Sequence, residues 1–291
     1  RNSLFQTHLD DEEWQEVLSM LRSYPSLAKV SVLLHRQGEK TLCLPLHVAV
    51  ATKNPCNELI DELLLLHDLA LTEGDTKFCR LPIHLALLSG VHNVATTKKL
   101  CNTASLLCSD VFGFTPLHYA CQYSCNDVCN FFLDECPEAC RIANEKDQLP
   151  LHLICARAWG DCPLPEQLFQ RMVDVYPSAV KPLDRNGRIP LHWACDTMHP
   201  RGDVLSILIR EFPSGLLVRE RERKTPQGVN RRFRNAQTDQ DVVINFLHES
   251  TVRERRRHRS LDNFFTIKIN ETRKPCRPSV MRRFNGNDSH V

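Results

Sequence analysis

The sequence has no run of 18 uninterrupted apolar residues, so nothing in it reads as a membrane-spanning helix. It also lacks a Gly-rich phosphate loop, a Gly-x-Ser-x-Gly and a His-Glu-x-x-His. These are common signatures of nucleotide binding, serine hydrolysis and zinc proteolysis, and without them neither catalysis nor a cofactor is expected. Cys-x-x-Cys pairs and closely paired histidines are missing too, which argues against a metal site. A large excess of charge of one sign is absent: 37 Lys and Arg face 35 Asp and Glu, a net charge of +2. That balance hides an asymmetry. Residues 1–200 hold 17 basic and 24 acidic side chains, and residues 201–291 hold 20 and 11. The chain opens at Arg1 with neither an initiator Met nor an apolar leader, as a fragment of a longer protein would.

What is present is a phrase that recurs. Pro45-Leu46-His47-Val48-Ala49 is followed by Pro82-Ile83-His84-Leu85-Ala86 and Pro116-Leu117-His118-Tyr119-Ala120. Pro150-Leu151-His152-Leu153-Ile154 and Pro190-Leu191-His192-Trp193-Ala194 come next, with a worn copy at Thr225-Pro226-Gln227. The prolines are 37, 34, 34, 40 and 36 residues apart, a period that indicates stacked units. Proline suits the first helical position, where its missing N–H would have no partner. The residues just before it, such as Asp184 to Arg188 with Gly187, read as a tight turn. A second phrase pairs an aromatic residue or Cys with Pro: Tyr24-Pro25, Cys136-Pro137, Tyr176-Pro177 and Phe212-Pro213. Proline ends a helix there and marks one exit per unit. The pattern predicts an amphipathic helix over 10–23, then helix pairs near 45 and 57–69, 83–89 and 92–101, 117–124 and 126–135, 151–158 and 165–175, and 191–197 and 202–211.

The fullest copy, Asp110-Val111-Phe112-Gly113-Phe114-Thr115-Pro116-Leu117-His118-Tyr119-Ala120, resembles the ankyrin-repeat family, and the Asp184 copy differs from the family phrase only at Ile189. The resemblance covers roughly residues 10–250. It implies an all-α helical solenoid of about five clear repeats with degenerate caps at both ends. The expected division is a capping helix in 1–38, five repeats in 39–218, a worn capping repeat in 219–250 and a basic, partly disordered tail in 251–291. Leu44, Leu81, Leu149 and Ile189 replace the usual Thr, so those helices are expected to lack a hydroxyl cap. Leu42 and Cys79 stand where a turn glycine belongs, so the first two turns are expected to be irregular.

His47, His84, His118, His152 and His192 form one row, read as structural because the repeat explains them; in the family this His ties neighbouring loops together. Cys121, Cys125 and Cys129 are spaced by four, but a break near 124–126 places Cys121 and Cys129 on different helices. The 14 cysteines are read mainly as reduced, buried thiols of an intracellular protein, cytoplasmic or nuclear. The resemblance further implies a non-enzymatic, monomeric module that binds protein partners through its concave face and turn tips. Candidate contact residues are Phe112, Phe114, Tyr119, Lys146, Gln148, Arg185, Arg188 and Trp193, since aromatic residues and Arg anchor such surfaces. Tyr119 and Trp193 have an alternative role, packing between repeats. The basic segment 253–259 has three readings: a solvated helix end, an import or acidic-partner patch, or a nucleic-acid contact. Two rival functions follow, binding of nucleic acid or an acidic surface through that segment, and recognition within a larger enzyme or receptor.

Overall fold

The computed structural model describes residues 11–36, 38–52, 55–90, 93–157, 166–197, 201–221, 247 and 249–256. Residues 158–165, most of the worn repeat expected at 219–250 and the tail beyond 256 lie outside them. Chain order begins with α1 (Asp11–Ser23), followed by a 3-10 turn (Pro25–Lys29), β1 (Val32–Arg36) and β2 (Glu39–Cys43). Five helix pairs follow: α2 (Pro45–Val50) with α3 (Asn57–Leu66), α4 (Pro82–Leu88) with α5 (Val94–Lys99), α6 (Pro116–Tyr123) with α7 (Asn126–Glu135), α8 (Pro150–Ala156) with α9 (Glu166–Val175), and α10 (Pro190–Cys195) with α11 (Gly202–Glu211).

Proline opens α2, α4, α6, α8 and α10. The residue before each proline is extended, with φ from −71° to −83° and ψ from 158° to 166°, because the pyrrolidine ring disfavours helical geometry there. The same rule shapes the exits. Tyr24, Cys136, Tyr176 and Phe212 are held out of helical geometry, with φ from −135° to −151° and ψ from 70° to 80°, ahead of a proline that starts a 3-10 turn. The five proline-led helices pack one against the next, α2 on α4, α4 on α6, α6 on α8 and α8 on α10. Their partner helices line the other side. There α5 packs on α7, α7 on α9 and α9 on α11, each helix burying an apolar stripe such as Leu168, Phe169, Met172 and Val173 of α9. A single apolar core runs from Trp14 to Leu216 and takes in Leu247.

The described residues are mostly helical, but the all-α expectation needs one correction. Residues 32–36 and 39–43 form an antiparallel hairpin across the expected boundary at 38/39, pairing Val32 with Cys43, Leu33 with Leu42 and Leu34 with Thr41. Period-two burial explains it: Val32, Leu34, Thr41 and Cys43 are buried, while Leu33, His35, Lys40 and Leu42 face outward. Gly38 provides the positive φ of +81° at the turn.

Candidate functional site

Four of the turns that precede the proline-led helices, those before α4, α6, α8 and α10, are each built on one buried Asp or Asn side chain. Asp110 Oδ1 accepts the amide N–H groups of Phe112 and Phe114, both at 2.9 Å. Asn144 Oδ1 does the same for Lys146 and Gln148, and Asp184 Oδ1 for Asn186 and Arg188. Asp75 Oδ1 accepts from Lys77 and Phe78. That last turn is one residue longer than the Asp110 turn, yet Cys79 takes the left-handed conformation (φ +54°) that Gly113 (+75°), Asp147 (+58°) and Gly187 (+74°) take in theirs. The irregularity expected there is therefore one of length only. The first turn departs completely, since Leu42 lies in β2.

Three histidines of the row, His84, His152 and His192, replace the missing hydroxyl cap in part. Nδ1 of His84, His118 and His152 accepts the N–H of Leu81, Thr115 and Leu149 at 3.0, 3.2 and 3.0 Å, and His192 Nδ1 accepts that of Ile189 at 3.3 Å. With Nδ1 an acceptor, the ring proton is on Nε2. His118 Nε2 meets the Gln148 carbonyl at 3.1 Å and His152 Nε2 the Pro182 carbonyl at 3.2 Å, tying each helix to the chain entering the next. His47 Nε2 likewise meets the Arg80 carbonyl at 3.0 Å. Burial pushes His84 and His118 down to about 4 and lowers His47 and His152, so these rings are neutral at pH 7. The row is a structural brace.

Between turns a backbone ladder runs along the tips. Thr76 N–H donates to the Leu42 carbonyl, Val111 to Phe78, Glu145 to Phe112, Arg185 to Lys146 and Arg221 to Asn186, at 2.9–3.0 Å. The rungs leave little room: a Cβ on Gly113 would stand 2.8 Å from the Glu145 nitrogen.

The candidate contact residues divide on this frame. Phe112, Lys146 and Arg185 project from the tips and are exposed. Tyr119 and Gln148, expected at the surface, are 4% and 5% exposed. The Tyr119 hydroxyl donates to Asp110 Oδ2 at 2.7 Å, and Gln148 Oε1 accepts from Asn144 Nδ2 at 3.0 Å. Trp193 is half-buried and donates its indole N–H to Asp184 Oδ2 at 3.1 Å, as Tyr119 does to Asp110, so each ring is tied to the turn of its own unit. Arg188 is committed inward, to Glu220 at 2.6 Å and Asp196 at 2.9 Å. Phe114 packs partly buried against His118 and Tyr119. Leu33, Leu42, Lys77, Phe78 and Val111 join the tip surface unanticipated. The signal was Asp75, which stands in the place of Asp110 and puts Phe78 at a tip.

Cys121 and Cys129 do lie on different helices, α6 and α7, and burial holds the Cys121 thiol well above its ordinary range. Burial also pushes Cys43 and Cys140 up to about 12. Among the described residues no group of three or more His, Cys, Asp or Glu is arranged to hold a metal ion, and no helix is long and apolar enough to cross a membrane.

The family comparison bears on this frame directly. Residues 46–142 match the model for ankyrin repeats, in three copies. These residues carry ankyrin repeats. Such repeats are interaction modules for other proteins and are typically non-enzymatic, so protein partners are implied. No curated protein matches the chain.

Proposed function

We propose that the chain is a monomeric, non-enzymatic scaffold of the cell interior: a solenoid of five ankyrin repeats over 39–218, with a cap at 1–38, a worn cap at 219–250 and a basic tail at 251–291. It holds partner proteins against its tips and concave face. The observation that carries this reading is the ladder of turns. Internal polar groups are spent on building it, and it presents Phe112, Lys146 and Arg185 outward at fixed spacing. Rigid presentation lowers the ordering cost of binding.

The test is quantitative capture from cell lysate with the full chain, beside a variant carrying Phe112→Ser, Lys146→Glu and Arg185→Glu. Specific proteins retained by the first and lost by the second are expected. Equal capture by both removes the tips from the reading. A second reading rests on Arg253, Arg255 and Arg256, which are exposed on helical residues 249–256. Through them the chain would hold nucleic acid or an acidic surface. Capture that survives the tip changes but disappears with Arg253→Glu, Arg255→Glu and Arg256→Glu, and with added salt, supports it.

A further inference from the structure

Resting on the protein-binding reading, we infer that the hairpin and the two tips after it form one docking surface for an acidic peptide segment bearing apolar side chains. Leu33 and Leu42 are cross-strand partners on the outward face of the hairpin. Leu42, 45% exposed, bonds through its backbone to Thr76, which lies two residues before Phe78. The Phe78 carbonyl takes the N–H of Val111, and the Phe78 and Phe112 rings lie 5.9 Å apart. Val111 and Phe112 are 41% and 43% exposed. The result is a row of apolar side chains on neighbouring elements, held in place by backbone hydrogen bonds.

Its charge is one-sided. Across residues 40–42, 75–80 and 110–114 the only carboxylates are Asp75 and Asp110. Both are buried, and their Oδ1 atoms accept turn amides. The exposed cations of the strip are Lys40 and Lys77, while Arg80 is half-buried and lies 3.6 Å from Asp110. Lys77 lies 5.2 Å and Arg80 4.4 Å from the centre of the Phe78 ring. The next tips differ in kind. Glu145, Lys146 and Asp147 mix both signs, and Arg185 is 3.6 Å from Asp147. Apolar side chains edged by lysines, with Asp75 and Asp110 turned inward, fit a partner that brings Leu or Phe for the strip and Asp or Glu for the lysines. A nucleic acid would satisfy the lysines and leave the leucines wet.

The experiment is selection of a random displayed peptide library on the full chain. Expected are sequences with Asp or Glu beside Phe, Leu or Trp. Their binding should fall at least about tenfold, the loss of one anchor contact, with Phe112→Ser, Val111→Ser or Lys77→Glu, and hold with Arg185→Glu. The altered side chains are exposed, and circular dichroism of each variant checks that the fold is kept. Enrichment of basic sequences, binding indifferent to all three strip changes, or no enrichment overturns the inference. Peptides that respond only to Lys146→Glu or Arg185→Glu also overturn it, yet leave the broader protein-binding reading standing.

Discussion

At the scale of single residues, most polar side chains around the turns act within the fold. Asp110 organises its turn with one carboxylate oxygen and anchors Tyr119 with the other. Asp184 does the same with Trp193. Two glycines allow the geometry to be tested by contrast. Gly113 combines φ +75° with backbone only 2.8 Å from a built Cβ, whereas the nearest atom at Gly187 (φ +74°) is 3.3 Å away. Gly113→Ala is expected to destabilise by about 2–3 kcal/mol or more, and Gly187→Ala by about 1–2 kcal/mol, since left-handed strain is common to both and the clash to one. Urea unfolding of the two variants checks the order, and equal losses would remove the clash from the account.

Among elements, the helix at 249–256 meets the 3-10 turn that follows α11. Leu247 and Thr251 are buried, and Glu254 accepts from the Ser214 hydroxyl at 3.3 Å. Arg253, Arg255 and Arg256 of the same helix are exposed. Ending the chain at 246 is expected to cost about 2 kcal/mol or more, the order of one buried leucine. Changing Arg253, Arg255 and Arg256 to Glu should leave stability nearly unchanged. Thermal unfolding separates the two. A stability loss from the arginine changes as large as from truncation would mean that the helix is held by charge and not by burial.

For the whole molecule, the neutral histidines couple stability to acid. His84 and His118 bind protons only near pH 4 in the folded chain, whereas unfolded His does so near the ordinary value of 6.5; His47 and His152 shift the same way. Between those limits the unfolded chain binds more protons. Stability is therefore full above about pH 6.5 and falls as pH drops toward 4. Urea midpoints measured at pH 7.5 and at pH 5 should show the loss, and a flat profile over that interval would contradict neutral, buried rings. The same brace recurs along the packed row from α2 to α8, so acid should loosen the array at many points at once.

Much of this molecule was legible in local sequence because its signals are local. Proline forces its predecessor out of helix, so Pro45, Pro82, Pro116, Pro150 and Pro190 mark helix starts, and Pro137, Pro177 and Pro213 mark exits. Gly113 and Gly187 mark turns for the same kind of reason, their own φ. Other features depend on groups about 33 residues away, which only the packed turns bring together. Arg188 leaves the candidate surface because Glu220, 32 residues on, reaches it first. Leu42 and Phe78 join that surface because backbone rungs align one tip with the next. Local sterics were sufficient to place the helices, but only the stacked tertiary structure decided which side chains remain outside to meet a partner.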